Sequence, residues 1–385
     1  MSKLSDENLS LDTKLIHVGH TFDPVTHSMA SPIYQTATFG FNTVEEMDSA
    51  WDKLGYLYTR EGNPTVIALE EKLAAIEGGE AAVAMSSGMG AVCSTLLTLL
   101  NKGEHLLCSE GLFFHSDIFM RELIDKMGIE VSFADFRDIE DVTQKIKNNT
   151  SVIFIETPAN PTLGVVDIEA ISKIAKSNDC IFIVDSTFAP PPVQTPLKWG
   201  ADIVVHSLTK YINGHGDALG GAAIGSKKLI EKIKYPGMPC FTGAALSPFN
   251  AWLIMRGMQT LDMRVKKHCA NALAIASYLE TRPEVERVIY PALKSHPQHA
   301  ICEKQMNSMG GGIVSFWLKD GINGMTIRQA DYKLCNSLKL FTIATSLGEG
   351  HTLIQVENSS MLRIAVGLEN ENDLINDLKQ AFDNL

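Results

Sequence analysis

Seven short apolar runs occupy the middle of the chain: "AAVAMSSG", "HLLCSE", "IEVSFAD", "SVIFIETP", "CIFIVDSTF", "ADIVVHS" and "GGAAIGS". Turn residues bound each run, and helical-length segments separate them, which is the pattern of repeated strand-helix-strand units. A chain so built folds into an α/β domain, with a mainly parallel seven-stranded sheet covered by helices on both faces. Such sheets bind ligands outside the carboxyl ends of their strands, so chemistry is expected where the runs stop.

The flanks read differently. In "NPTVIALEEKLAAIEGG", Asn63 fits a helix N-cap, Pro64 the first helical position and Gly78 the stop. Residues 1–62 are irregular and rich in Ser, Thr, Pro and aromatics, which predicts an extended arm. From about 245, "SPFNAWLIMRGMQTLDMRVKKHCANALAIASYLETRP" predicts one long helical stretch. It leads into a second segment with strands near "GGIVSFWL", "LFTIATSLG" and "SMLRIAVGL". A chain of 385 residues exceeds one simple core. The expected organisation is an arm (1–62), a large domain (63–245) and a smaller C-terminal α/β domain (246–385).

Composition excludes several functions. Lys+Arg 33 against Asp+Glu 45 gives a net charge of -12, which repels phosphate backbones and argues against nucleic acid as a partner. No stretch has the uncharged length of a membrane span, and "MSKLSDENLSLDTKL" lacks the apolar core of a secretory signal. Seven scattered cysteines, odd in number and without a C-x-x-C pair, read as reduced thiols of a cytoplasmic protein and make cysteine-bound zinc an unsuitable reading.

The chemistry converges on two run ends. Asp185 closes "IFIVD", where an ionised carboxylate is costly unless something pairs with it. Lys210 follows the next run, one strand-helix step later, so both belong at the same sheet edge. Taken singly, Asp185 reads as a turn or cap residue and Lys210 as a snorkelling surface lysine. The flanks change that reading. Ser207 and Thr209 offer hydroxyls beside Lys210, and "SSGMGA" ends one strand and opens a helix, a backbone cradle for an anion. A phosphate cradle, a buried carboxylate and a strand-end lysine together meet the needs of pyridoxal 5'-phosphate: a Schiff-base lysine, an anion for the pyridinium nitrogen, and phosphate anchors.

Competing motifs fail on spacing. "GHGDALGG" is not G-x-G-x-x-G and follows a lysine loop rather than a strand. His206, His215 and Asp217 do not converge as metal ligands, so no metal is expected; His296 and His299 read as surface or capping residues.

The chain resembles the Cys/Met-metabolism group of pyridoxal-phosphate enzymes, nearest its methionine γ-lyase branch. The resemblance runs through "SPIYQTATF", "YLYTREGNPT", "SSGMGA", "IETPANPTLG", "VDSTF", "ADIVVHSLTKYINGHGDALGG", "SPFNAWL", "SHPQ", "SLGEG" and "RIAVGLEN". It implies the aminotransferase-like fold type I and a homo-oligomer, a tetramer, with shared active sites. Tyr58 and Arg60 match positions that reach a neighbouring subunit's phosphate site. Gly88, Met89, Ser207 and Thr209 match the rest of the phosphate cup, and Asn160 the partner of the cofactor's phenolic oxygen. Ser346 and Arg363 match the groups that grip the carboxylate of an amino-acid substrate.

Departures from the group's pattern gather on the substrate side. Where members carry Y-G-x-T this chain reads "FFHS", so the ring-stacking, proton-moving tyrosine is Phe113. Phenylalanine stacks but has no hydroxyl to protonate a leaving group. His115, where the γ-lyases have cysteine, is a candidate substitute acid or a histidine that merely fills space. Pro239, Cys240 and His351 also depart, and the loop before Arg363 is short. The expected activity is γ-elimination from a methionine- or homocysteine-like L-amino acid, giving 2-oxo acid, ammonia and thiol. A γ-replacement synthase is the alternative, and a catalytically degenerate binding paralogue the third reading.

Overall fold

The computed structural model describes residues 9–20, 22, 23, 25–52, 55–357 and 360–385. All seven predicted runs are strands: β1 (Ala81–Met85), β2 (His105–Ser109), β3 (Glu130–Ala134), β4 (Thr150–Glu156), β5 (Ile181–Asp185), β6 (Ile203–Ser207) and β7 (Gly221–Gly225). They form one sheet in the order β1-β7-β6-β5-β4-β2-β3. Only β7 runs against its neighbours, pairing antiparallel with both β1 and β6. The near-continuous apolar composition of these strands suits a sheet buried on both faces. Ile183, Ile203 and Val205 pack on one side, and Phe182 and Val184 on the other.

Behind the sheet lies the helix Pro64–Glu77, capped as the sequence predicts. The Asn63 side chain accepts from the Thr65 amide, and Gly78 ends the helix in the left-handed region at φ 74. Leu69 and Leu73 on this helix are fully buried, each contributing about 1.5–3 kcal/mol by burial.

A second sheet of five strands follows: β8 (Val285–Ile289), β9 (Ile313–Leu318), β10 (Thr342–Ile343), β11 (Leu353–Val356) and β12 (Leu362–Ala365), in the order β10-β11-β12-β9-β8. Two of its members, β8 and β11, were not foreseen, and the "LFTIATSLG" run yields only the two-residue β10. The long helical pattern is two helices, Pro248–Met258 and Leu261–Glu280, which break at Gln259 and Thr260. The arm is less extended than expected. It contains the helices Leu11–His17 and Val44–Asp52, and the first is anchored by Leu15, which is 1% exposed. One apolar cluster runs from Leu69 and Tyr211 through Ile254 and Val265 to Ile313, Leu353 and Ala365. That shared core sets the five-stranded sheet against the segment that carries Lys210.

No helix among the described residues is long and apolar enough to cross a membrane. All seven cysteines are free.

Candidate active site

The carboxyl ends of β4, β5 and β6 lie side by side, with Glu156 in register with Asp185, and Asp185 with Val205. A chain of hydrogen bonds starts at Asp185, whose Oδ1 accepts from the Thr187 amide at 2.9 Å. Thr187 Oγ1 in turn accepts from the Ser207 amide at 2.9 Å, which carries the chain to the end of β6. Burial holds the Asp185 carboxyl above its ordinary range, and the bonds from Thr187 oppose that shift.

The helix start expected at "SSGMGA" is present. Ser87 caps the helix Gly88–Leu99 by accepting from the Gly90 amide, so the amides of Gly88 and Met89 precede the first intrahelical bond. A Cβ on Gly88 would stand 2.8 Å from Ser207 Cβ, and one on Gly221 2.0 Å from Ser87 O. Glycine at these positions lets the helix start and the end of β6 approach closely, leaving backbone donors and the Ser207 hydroxyl around one small space. Thr209 borders it, its hydroxyl accepting from the Gly220 amide at 3.1 Å. Donors at a helix start next to hydroxyls fit a phosphate ester, and the carboxylate at the end of β5 fits a pyridinium nitrogen.

Lys210 sits three residues beyond β6, and its Nζ donates to Ser346 Oγ at 2.8 Å. Burial and the charge of Arg363 lower its pKa, while Glu349 opposes. The amine is therefore free at a lower pH than an exposed lysine's would be. Ser346 holds φ 97, a left-handed conformation that costs a non-glycine residue about 1–3 kcal/mol and is concentrated at functional sites. Gly348, at φ 83, lies against the backbone of Tyr211, where a Cβ would meet its nitrogen at 2.5 Å.

Arg363, on β12 and 7% exposed, donates from Nη1 to Asn160 Oδ1 at 2.9 Å; its Nε is buried with no partner. That orphaned donor is what a fork awaiting a carboxylate leaves open. Phe113 is half-exposed, its ring centroid 5.2 Å from that of His115. Phe114 packs on the other side of His115, at 5.4 Å.

Tyr58 and Arg60 belong to the arm. Both are exposed, the guanidinium lies 5.1 Å from the Tyr58 ring centroid, and Tyr58 bridges to Thr38 within the arm. The structure thus links Asp185 through Thr187 to Ser207 and Gly88, and Lys210 to Ser346, with Arg363 bonded to Asn160 and Phe113 tied through Glu156 to Asn160.

A profile of the Cys/Met metabolism PLP-dependent enzymes matches residues 12–383. The chain belongs to this family. Like its other members it is a pyridoxal-phosphate-dependent enzyme. Among relatives, an L-methionine gamma-lyase of Fusobacterium nucleatum subsp. polymorphum is 44% identical over 99% of this chain and 100% of its own. The fold is similar to that of metB from Corynebacterium glutamicum, with TM-score 0.92, 36% identity, and coverage of 99% of this chain and 100% of that one. A chain assigned as O-acetylhomoserine (thiol)-lyase (metY) from Campylobacter jejuni, which carries N'-pyridoxyl-lysine-5'-monophosphate, matches with TM-score 0.90 and 32% identity over 97% of this chain and 100% of that one.

Several residues at the site escaped the sequence reading. Glu156 was quoted within "IETPANPTLG" but given no role, although a glutamate closing a buried apolar run carries the same signal as Asp185. Glu357 lies with Oε1 3.6 Å from Arg363 Nη1. Arg264 is a buried guanidinium that donates to the carbonyls of Tyr211 and Gly257, each at 2.8 Å, and so clamps the segment after Lys210. Nothing local in the sequence marks it. His206 pairs with Glu77 at 2.6 Å on the far face of the sheet. His296, expected as a surface or capping residue, is 6% exposed, faces Leu163 O at 3.2 Å, and accepts from the Gln298 amide at 3.1 Å just before the helix His299–Gln305. Among the described residues no cluster of three or more His, Cys, Asp or Glu could hold a metal.

Proposed function

We propose that this family member carries out γ-elimination on a methionine- or homocysteine-like L-amino acid, yielding 2-oxo acid, ammonia and a thiol. The observation that carries the reading is the pairing of Lys210 Nζ with Ser346 Oγ beside Arg363, which brings a proton-moving amine next to a carboxylate grip. The near-full-length likeness to L-methionine gamma-lyases supports the choice of reaction.

Pyridoxal phosphate, when bound, supplies the electron sink for carbanion chemistry. Ser207, Thr209 and the Gly88 and Met89 amides hold its phosphate, with Tyr58 and Arg60 contributed by a neighbouring subunit. Asp185 would hold negative charge for the ring nitrogen, and Asn160 and Phe113 would be the residues that hold the phenolic oxygen and the ring face. Arg363 and Ser346 fix the substrate carboxylate, so that Lys210 removes the Cα proton and then moves a proton at Cβ. His115 protonates the departing sulfur. Residues 63–245 act as the cofactor-binding unit and 246–385 as the C-terminal unit, in a cytoplasmic tetramer whose arms (1–62) reach between subunits.

The rewritten substrate shell and the likeness to metB and metY favour one alternative, a γ-replacement synthase. Purified holoenzyme is given L-methionine, L-homocysteine, L-cystathionine and O-acetyl-L-homoserine. Release of 2-oxobutyrate without added thiol is the expected result. Turnover that waits for a nucleophile would move the assignment to the synthase, and cofactor absorbance without turnover on any of them to a binding paralogue.

A further inference from the structure

The end of β4 carries a carboxylate that the proposed chemistry does not use, yet it touches the site at two points. Glu156 is 4% exposed. Its Oε2 accepts from the Phe113 amide at 2.8 Å, and its Oε1 accepts from the Asn160 amide at 3.0 Å. The two donors come from different connections, one after β2 and one after β4. Asn160 passes the contact on, since its Oδ1 accepts from Arg363 Nη1 at 2.9 Å. The glutamate's own amide is anchored to Ser109 Oγ at 3.2 Å.

We infer that Glu156 is the positioning residue that sets the ring-stacking position, the Asn160 side chain and, through Asn160, the carboxylate grip of Arg363 in one fixed relation. Three positions, two on separate connections and one on β12, are thereby tied to one buried carboxylate. A neutral amide could not replace it. One oxygen of glutamine would still accept a single N–H, but its NH2 would face the other N–H donor, so one of the two segments is released. Burial and the neighbouring Asp185 charge push the Glu156 carboxyl well above the ordinary range, whereas the two amide bonds favour its ionised form. The neighbour on β5 keeps its own bonds to Thr187, so the two carboxyls have separate partners.

The inference rests on Phe113 and Asn160 lining the cofactor site. Its test is hydrogen exchange of the wild-type and Glu156→Gln holoenzymes, read by mass spectrometry, together with binding of pyridoxal phosphate and of L-alanine, which has no leaving group. The expected result is faster exchange confined to the peptide that loses its acceptor, 111–118 or 157–164. L-Alanine should bind about tenfold more weakly, the loss of one charge-assisted bond, and cofactor affinity should fall with it, since Phe113 and Asn160 line the cofactor site. Unchanged exchange in both peptides would overturn the inference, and so would uniform loosening of β4, β5 and their helices, which marks an ordinary core residue. Should the glutamine variant not fold, Glu156→Asp, which withdraws both oxygens but keeps the charge, is read by the same criteria. Failure to release 2-oxo acid would count against the proposed reaction and leave the exchange result standing.

Discussion

Lys210 owes its reactivity to neighbours far away in sequence. Burial and Arg363 lower its pKa, and Ser346 accepts its proton-bearing nitrogen at 2.8 Å. The less settled chemistry is at the leaving group, where Phe113 has no hydroxyl to give. His115 is exposed and in ring contact with both Phe113 and Phe114. If it is the acid, His115→Ala lowers kcat/KM for methionine by about 10²-fold, the usual contribution of a positioned proton donor. Adding Phe113→Tyr to that variant should recover much of the loss. Steady-state kinetics on the two variants check this, and an unaffected His115→Ala would show that the ring only fills space.

At the scale of elements, the β11–β12 hairpin sets the surroundings of Arg363. The two strands pair Gln355 with Arg363, and the Glu357 amide closes onto Met361 O at 2.8 Å. This short connection brings the Glu357 carboxylate 3.6 Å from the Arg363 guanidinium, where it competes with an incoming carboxylate for the same charge. Glu357→Gln is therefore expected to lower KM for methionine about 2- to 5-fold with kcat unchanged, in keeping with a partly exposed pair worth up to about 1 kcal/mol. A raised KM would mean that Glu357 orients the arginine instead. Helices and strands of the large domain were legible because their punctuation is local: Asn63, Pro64 and Gly78 around one helix, and apolar runs stopped by Asp185 or Ser207. β8 and β11 were not, because "VERVI" and "LIQV" are short and partly exposed and become strands only by pairing with β9 and β12.

For the whole molecule, the arm carries a consequence. Tyr58 and Arg60 are exposed in the single chain, while Phe22, Val25, Met29 and Trp51 of the same arm leave large apolar surfaces open. Such surface suits a neighbouring copy. Two inactive variants, Lys210→Ala and Arg60→Ala, refolded as an equal mixture should regain about one quarter of wild-type activity. Half of randomly assorted dimers are then mixed, and each mixed dimer holds one intact site of two. No recovery above that of the separate variants would place Arg60 within its own subunit's site or outside any site.

The sequence by itself determined the seven-stranded sheet, the cap of its first helix, the phosphate cradle and the placing of Asp185 and Lys210 at one edge, because each depends on residue type and spacing within one or two elements. Only the tertiary structure decided that Ser346 meets Lys210, that Asn160 holds Arg363, that Glu156 joins Phe113 to Asn160, and that Glu357 crowds the grip. These are contacts between segments as much as 203 positions apart in the chain. They form because one apolar core packs the five-stranded sheet against the Lys210 segment, and no local signal records where that packing brings a side chain.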